Sequence, residues 1–418
     1  MEVVSREPVN GRSKQLIAKG VEQFFNDHYE LRFNILKQVE EFRSSFHEKA
    51  VGFEQKAPGL GQKAAGFENP TAWDNSEWRQ LTDRELRRIA FEQMKEVGVA
   101  WSIDIELYAR STMIPDYDPI ADFLNHTTPW DGTTDHIGQL ARRVPTAFSD
   151  WPDYFHRWFL GMVAQWQQRS RDYGNALVPM LIGGQGTHKS TFCKLLLPHA
   201  LRQYYIDDIK LDSAEQVERV LGRMLLVNID EYNAKTPREQ AKIKRVLTER
   251  DVQTRRMRSD QYLMLPRMAS FIATTNEREP LTDATGSRRY LCCEVTGVID
   301  TTSPIDHAAI FGQAIAELDA GAPWFLSRDE EAVLERHNEQ YRQPVTAEDL
   351  LTAHFEPASR SKDSLMPATA ILDELKKHVR PADLPNLKQL TMALRQCRFL
   401  RGAVEGRHGW YAKRREEL

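Results

Sequence analysis

Nine consecutive residues, Gly183-Gly-Gln-Gly-Thr-His-Lys-Ser-Thr191, carry the densest chemical signal in the chain. An apolar run, Leu177–Ile182, leads into them, and a helix-forming stretch, Phe192–Leu197, follows. A strand, a glycine-rich loop and a helix in that order let backbone N–H groups turn inward around a polyphosphate. The start of the helix adds a fixed positive end. Gly183, Gly184, Gln185, Gly186, Thr187, His188, Lys189, Ser190 and Thr191 are therefore candidates to bind a nucleotide. Lys189 would reach the β- and γ-phosphates, and the Ser190 hydroxyl would ligate Mg²⁺. The pattern G-x-x-x-x-G-K-[ST] is met at Gly183, Lys189 and Ser190, but His188 stands where a glycine is expected. Gly186 offers flexibility two residues earlier. The bland alternative is a glycine-rich turn with no ligand.

Two downstream features argue against that alternative. Met224–Ile229 is an apolar run ending at Asp230-Glu231. The first carboxylate can hold a magnesium shell, and the second can orient and deprotonate an attacking water. Ala269–Thr275 is a further apolar run ending at Asn276, whose amide could sense the γ-phosphate or position water. Alone, a strand ending in Asp-Glu is more often solvated, and a lone asparagine is most often a turn residue. In this order and spacing, Lys189, Ser190, Asp230, Glu231 and Asn276 predict a nucleoside triphosphatase site that works with Mg²⁺. Arg267, just ahead of a buried run, could instead face the nucleotide.

These residues need a scaffold. Short apolar runs at 177–182, 224–229, 269–274 and 290–295 are each the length of a buried strand, and helical stretches separate the first three. That alternation predicts an α/β fold with a mostly parallel sheet. Pro179 weakens the first run, because proline cannot donate to a ladder. Before the sheet, Phe155, Trp158, Phe159, Met162 and Trp166 fall on one helical stripe, which reads as core rather than as a cofactor site. Residues 76–125 read as helical, with Thr82 and Glu85 forming a capping box. Residues 29–35 alternate like a half-buried strand with amphipathic helix on either side, and residues 52–70 read as a linker. Beyond Thr301 come a charged helix at 327–341, a polar connector at 343–367, and helix, helix and hairpin over 368–413, which suits a winged helix.

Length and composition set the outer limits. The chain has 418 residues, enough for two to four domains, and a net charge of −4, so it is no polybasic nucleic-acid coat. Its four cysteines show no C-x-x-C spacing, which argues against a disulfide scaffold or a cysteine-rich zinc site. No apolar stretch approaches the roughly 18 residues needed to cross a bilayer, and the amino end lacks a signal-peptide pattern. The expectation is a cytoplasmic, multidomain protein with no membrane contact.

Asp283-Ala-Thr-Gly-Ser-Arg-Arg-Tyr290, following Ala273-Thr-Thr-Asn276, resembles the Asp-x-x-Gly-x-Arg-Arg-aromatic segment of the virulence-associated protein E family. Gln185-Gly186, Lys189-Ser-Thr-Phe192, Asn228-Ile-Asp-Glu231 and Trp130-Asp-Gly132 are similar to it as well. That family contains ATPases with superfamily 3 helicase-like AAA+ cores, found in phages, phage satellites and mobile elements. The likeness is strongest over about 150–300 and looser over 75–150, and the tail resembles the small C-terminal domain of a Bacteroides-type branch. The resemblance implies a P-loop AAA+ core at 150–326. Flanking it would be an N-terminal segment with linker at 1–75, a helical domain at 76–149, a helical connector at 327–367 and a winged-helix-like domain at 368–418. It further implies that Arg288 or Arg289 is an arginine finger reaching a neighbouring subunit's γ-phosphate.

In superfamily 3-like cores a hairpin lines the central pore, in the interval that here holds Thr254-Arg-Arg-Met-Arg258. By that likeness Arg255, Arg256 and Arg258, with Lys242, Lys244 and Arg245 nearby, would meet the backbone of a threaded strand. A solvated charged face is the equal alternative. From Lys376 onward eleven Lys/Arg face four Asp/Glu, so the tail is basic, as a DNA-binding winged helix commonly is, and His408-Gly-Trp-Tyr411 would put aromatic groups near a wing; a protein-docking or solubility module is the alternative. The combined expectation is a ring-forming ATP-driven DNA helicase or translocase, hexameric, serving replication of a phage, satellite or mobile element on single-stranded or forked DNA, with any primase a separate protein. The alternatives are a nucleotide-switched assembly or defence ATPase that moves no DNA and, more weakly, a DNA-binding protein with a degenerate site.

Overall fold

The computed structural model describes residues 11–45, 77–97, 101–169, 174–207, 209, 214–232, 242–243, 245–247, 251–255, 262–281, 287–343, 346–361, 363–379, 384–404 and 406–415. The linker expected at 52–70 lies outside them.

The first unit begins with helix α1 (Gly11–His28) and strands β1 (Tyr29–Asn34) and β2 (Val39–Ser44). It continues through β3 (Arg79–Gln80), α2 (Asp83–Val97), α3 (Ser102–Ala109) and β4 (Asp116–Tyr117). The four strands form one sheet in the order β3-β2-β1-β4, so this region is mixed rather than mainly helical. The stretch after β1, expected to be helix, is instead the second arm of a hairpin. Asn34 explains the turn: its side-chain oxygen accepts from the N–H groups of Leu36 at 3.2 Å and Lys37 at 3.0 Å, and Gln38 then takes a left-handed φ of 57°. Phe25, Phe42, Ile89 and Ile105 are fully buried between sheet and helices.

Helices α4 (Pro119–Asn125), α5 (His136–Ala141) and α6 (Trp151–Trp166) lead into the central unit. Its elements are β5 (Val178–Ile182), α7 (Lys189–Leu195), β6 (Tyr205–Asp207), α8 (Ala214–Arg223), β7 (Leu226–Ile229), β8 (Asp251–Arg255), β9 (Tyr262–Pro266), β10 (Ser270–Thr275) and β11 (Tyr290–Glu294). Five strands make an all-parallel sheet in the order β11-β5-β10-β7-β6. The short edge strand β6 is absent from the sequence reading, since three residues carry no readable period. Pro179 is tolerated because the β5–β10 ladder begins at Met180, one residue later.

Side-chain alternation sends each strand's residues to two cores. Leu181, Ile272, Leu291 and Cys293 face α6, whose Trp158, Phe159 and Met162 are fully buried. Val178, Met180, Val227, Phe271, Ala273 and Cys292 face the layer of α8, Ile243, Val246 and Leu247. With both faces covered, near-continuous apolar strands are what a parallel sheet requires. Arg267 does not face the nucleotide. Its guanidinium is buried and donates to the carbonyls of Leu247 at 2.7 Å, Ala269 at 2.8 Å and Asn175 at 3.0 Å, which makes it an internal tie.

Helices α9 (His307–Asp319) and α10 (Arg328–Asn338) follow. The latter is solvated on one side, as expected, but buries Leu334 and Asn338. The stretch expected as a polar connector instead holds α11 (Ala347–His354), β12 (Phe355–Pro357) and β13 (Leu365–Met366). With α12 (Ala368–His378), α13 (Leu387–Gln396), β14 (Arg401–Val404) and β15 (Arg407–Arg414), these share a separate core built on Leu351, Phe355, Ile371, Leu375, Leu390 and Leu394. The last hairpin turns at Gly406, with φ 77°. Trp410 and Tyr411, expected near a wing, are only 5% and 7% exposed. Their strand is the central one of that sheet: Trp410 faces the core, and Tyr411, on the opposite face, is covered where it lies over Gly402.

Candidate functional site

A cleft of about 310 Å³ opens at the carboxyl ends of β5, β7 and β10, where ligands sit in open parallel sheets. Its walls are Gln185 to Thr191, Asp230, Glu231 and Thr274 to Asn276. Residues predicted from three separate stretches of sequence thus come together in one concave space.

Each enters from a defined backbone position. Gly183 leaves β5 with its N–H on the Thr275 carbonyl at 3.1 Å, and a Cβ there would stand 3.0 Å from the Val295 carbonyl oxygen. Gly186 turns the loop at φ 77°. His188 then takes φ 64° and ψ 26°, the left-handed region that a glycine would occupy without strain. The His188 substitution therefore leaves the loop's path intact at a cost of roughly 1–2 kcal/mol. Its Nδ1 lies 3.3 Å from Thr301 Oγ1, and the Ile299 N–H donates to the Thr187 carbonyl at 3.1 Å, so the segment after β11 braces the loop. Thr301 carried no sequence signal. An isolated threonine in a polar loop has none to give.

Lys189 is buried, and its ammonium is held within the loop. It donates to the carbonyls of Gly183 at 2.7 Å and Gly184 at 2.8 Å and to Asn276 Oδ1 at 3.1 Å. Burial holds its pKa below the ordinary lysine value, and the Asp230 carboxylate opposes that shift. Ser190 donates to Asp230 Oδ1 at 2.9 Å, and Thr274 donates to the same oxygen. Thr274 is a site residue that sequence reasoning missed, although its place two residues before Asn276 on an expected strand could have marked it. Cys193 is fully buried beneath the loop, and burial pushes its thiol pKa up, so it packs rather than reacts.

Glu231 follows β7 at φ 50°, a strained position for a carboxylate residue, and it is exposed in the cleft wall. No group among the described residues holds its carboxylate, which leaves it free to meet a small polar ligand. Residues Ser190 and Asp230 offer a hydroxyl and a carboxylate, hard oxygens suited to magnesium. Among the described residues no three His, Cys, Asp or Glu side chains gather as a metal nest. A cation here would complete its shell with water and phosphate oxygens, as magnesium commonly does. The donor set fits.

The remaining predicted residues stand apart. Arg288 and Arg289 lie outside the cleft, in a short 3₁₀ turn at Ser287–Arg289 that packs on α10. Arg288 pairs with Glu331 at 3.3 Å, with the arginine about half exposed and the glutamate part-buried. Arg255 ends β8 of the β8–β9 hairpin, while Arg256, Arg258 and Lys244 lie outside the described residues. No helix among the described residues is long and apolar enough to cross a membrane.

The family model described as virulence-associated protein E-like domain matches residues 124–343, more than half of the chain and the whole of the cleft. No curated protein matches. Among solved structures, the apo structure of the NrS-1 C terminal region is similar at 12% identity and a TM-score of 0.45, covering 94% of this chain and 98% of that one. A second structure, the A form apo structure of the same region, gives 14% identity and a TM-score of 0.45, covering 95% and 98%.

Proposed function

The chain belongs to the virulence-associated protein E-like family, and from that premise we propose that it is a magnesium-dependent ATPase with a P-loop AAA+ core of the superfamily 3 helicase type. Its work is that of a ring-forming DNA helicase or translocase. The observation that carries the reading is the Ser190–Asp230 contact at 2.9 Å, which joins the glycine-rich loop to the acid strand across the cleft where Lys189 lies. A glycine-rich turn without ligand has no reason to aim a buried lysine and a carboxylate at the same small volume.

In this reading Lys189 exchanges its loop carbonyls for β- and γ-phosphate oxygens. Ser190 and Asp230 hold the metal, and magnesium there offsets the phosphate charge. Glu231, at the rim and without a partner among the described residues, orients the attacking water and takes its proton. Asn276 contacts Lys189 and stands where the γ-phosphate would arrive. Arg288 and Arg289 lie outside this chain's cleft, so either acts as a finger only toward another copy, which favours an oligomer. The basic β8–β9 hairpin supplies the contact to a threaded single strand. The C-terminal helices and hairpin are read as a winged helix.

The test is ATP turnover with and without single-stranded DNA, alongside the mass of the assembly in ATP. Lys189→Ala should reduce turnover by more than a hundredfold with the fold intact. Unchanged turnover in that variant would remove the ATPase reading. A DNA-independent rate in the unmodified protein would leave a nucleotide-switched assembly ATPase in place of a helicase.

A further inference from the structure

The C-terminal unit distributes its positive charge unevenly. On α12 the cations are neutralised locally: Lys376 meets Asp373 at 2.8 Å and Lys377 meets Glu374 at 3.0 Å. Arg414 on β15 reaches the same Glu374 at 2.6 Å. Helix α13 is different. From Leu384 to Val404 the chain carries Lys388, Arg395, Arg398 and Arg401 and not one Asp or Glu. All four side chains are exposed, and none has an ion pair or hydrogen bond among the described residues. Lys388 and Arg395 lie on α13, Arg398 just past its end and Arg401 on β14, and the carboxylates of Glu348 and Asp349 on α11, close enough to act on Cys397, pair with none of them.

The helix turns Leu390, Ala393 and Leu394 into the core and Lys388, Met392 and Arg395 outward, the latter spaced by four and three residues on one face. Met392 is 60% exposed. Asn386 and Gln389 cap the start of the helix reciprocally, so its side chains rather than free N–H groups supply the charge. Just past the end, Arg398 takes φ 59°, the position at which a helix ordinarily stops on glycine. An exposed guanidinium is kept there at a backbone cost.

We propose that the outward face of α13, with Arg398 and Arg401 beside it, is a docking surface for double-stranded DNA, separate from the ATPase cleft and from the β8–β9 hairpin. The four unpaired cations match a phosphate backbone. Duplex is favoured over single strand because stacking platforms are missing from this face: Phe399, Trp410 and Tyr411 are all buried. DNA is favoured over RNA because a B-form major groove, about 12 Å wide, admits a helix, whereas an A-form major groove is too narrow and deep for side chains to read. This inference does not rest on the nucleotide site.

Fluorescence anisotropy of the full chain without nucleotide tests it, using a labelled DNA duplex, the single strand of equal length and an RNA duplex across a salt series. We expect the DNA duplex to bind with a salt dependence that Lys388→Glu with Arg395→Glu makes shallower by about two units of slope, weakening affinity at least tenfold. Lys388→Arg with Arg395→Lys should restore both, which separates charge from folding. Single-strand binding attributable to the hairpin should survive the double reversal. The proposal is overturned if duplex affinity and salt slope are unchanged by the reversal, or if duplex RNA binds as well as duplex DNA. Running the series in Lys189→Ala as well keeps it independent of hydrolysis: an inactive ATPase that still binds duplex through this face supports the inference.

Discussion

His188 occupies a backbone conformation that costs most residues roughly 1–2 kcal/mol, and it does so in the loop that must wrap the phosphates. Replacing it with glycine should leave ATP affinity within about threefold, since the strain removed offsets the lost Thr301 contact. A β-branched residue has the opposite effect. His188→Val should weaken ATP binding about 5- to 30-fold, the equivalent of that strain, as read by titration with a non-hydrolysable analogue. Equal binding by the valine variant would show that the loop's path does not depend on this residue. Arg267 makes a contrasting case. Arg267→Ala would strand its carbonyl partners at 247 and 175, each costing about 1–3 kcal/mol, while the carbonyl of Ala269 keeps a bond from Gln165 at 2.7 Å. Chemical denaturation should show a loss of several kcal/mol with ATP affinity per folded molecule unchanged. Lost affinity at full stability would instead return this arginine to the nucleotide.

At the scale of elements, four of the five parallel strands, the phosphate loop, the tryptophan-bearing helix and the last hairpin were legible, because each has a strong apolar run, a period or a turn residue that only one geometry uses. What stayed hidden was set by partners far away in sequence. The hairpin arm β2 reads as helix from its Glu and Arg content until pairing with β1 decides the matter, and β3, β4, β6, β12 and β13 are too short to show a period. In the site, Lys189, Ser190, Asp230, Glu231 and Asn276 announced themselves by spacing, while Thr274 and Thr301 entered only through contact. The same limit applies to Gly312 on α9. Helix propensity alone would favour alanine by about 1 kcal/mol, yet a Cβ there would lie 1.9 Å from the Thr128 carbonyl oxygen. Gly312→Ala should therefore destabilise the protein by about 1–3 kcal/mol, and a raised melting temperature would refute the close approach.

Across the whole molecule, the N-terminal sheet is tied to the central unit by a polar knot around Glu41. Its carboxylate is buried and accepts from Arg32 at 2.8 Å, Lys37 at 2.9 Å and Asn34 at 3.1 Å, and Asn34 donates onward to Tyr204 at 2.8 Å. Burial alone would raise the Glu41 pKa, but the bonds from Lys37 and Arg32 outweigh it and hold it below the ordinary glutamate value. A depressed folded pKa contributes stability that is complete above the unfolded value, about 4.3, and is lost as pH falls through the folded one. Stability measured from pH 7 downward should therefore fall below about pH 4 in the unmodified protein and fall less steeply in Glu41→Gln. Parallel curves would mean the knot contributes nothing pH-dependent.

The end of β10 holds three jobs in three successive residues: Thr274 bonds Asp230, the Thr275 carbonyl takes the Gly183 N–H, and Asn276 meets Lys189. A slip of one residue turns every side chain of a strand to its opposite face, so one deletion here would unseat the acid, the loop and the lysine together. Insertions that surface loops absorb freely have no harmless version at this spot. The chain's tolerance for length change is therefore lowest where its three site-bearing strands meet.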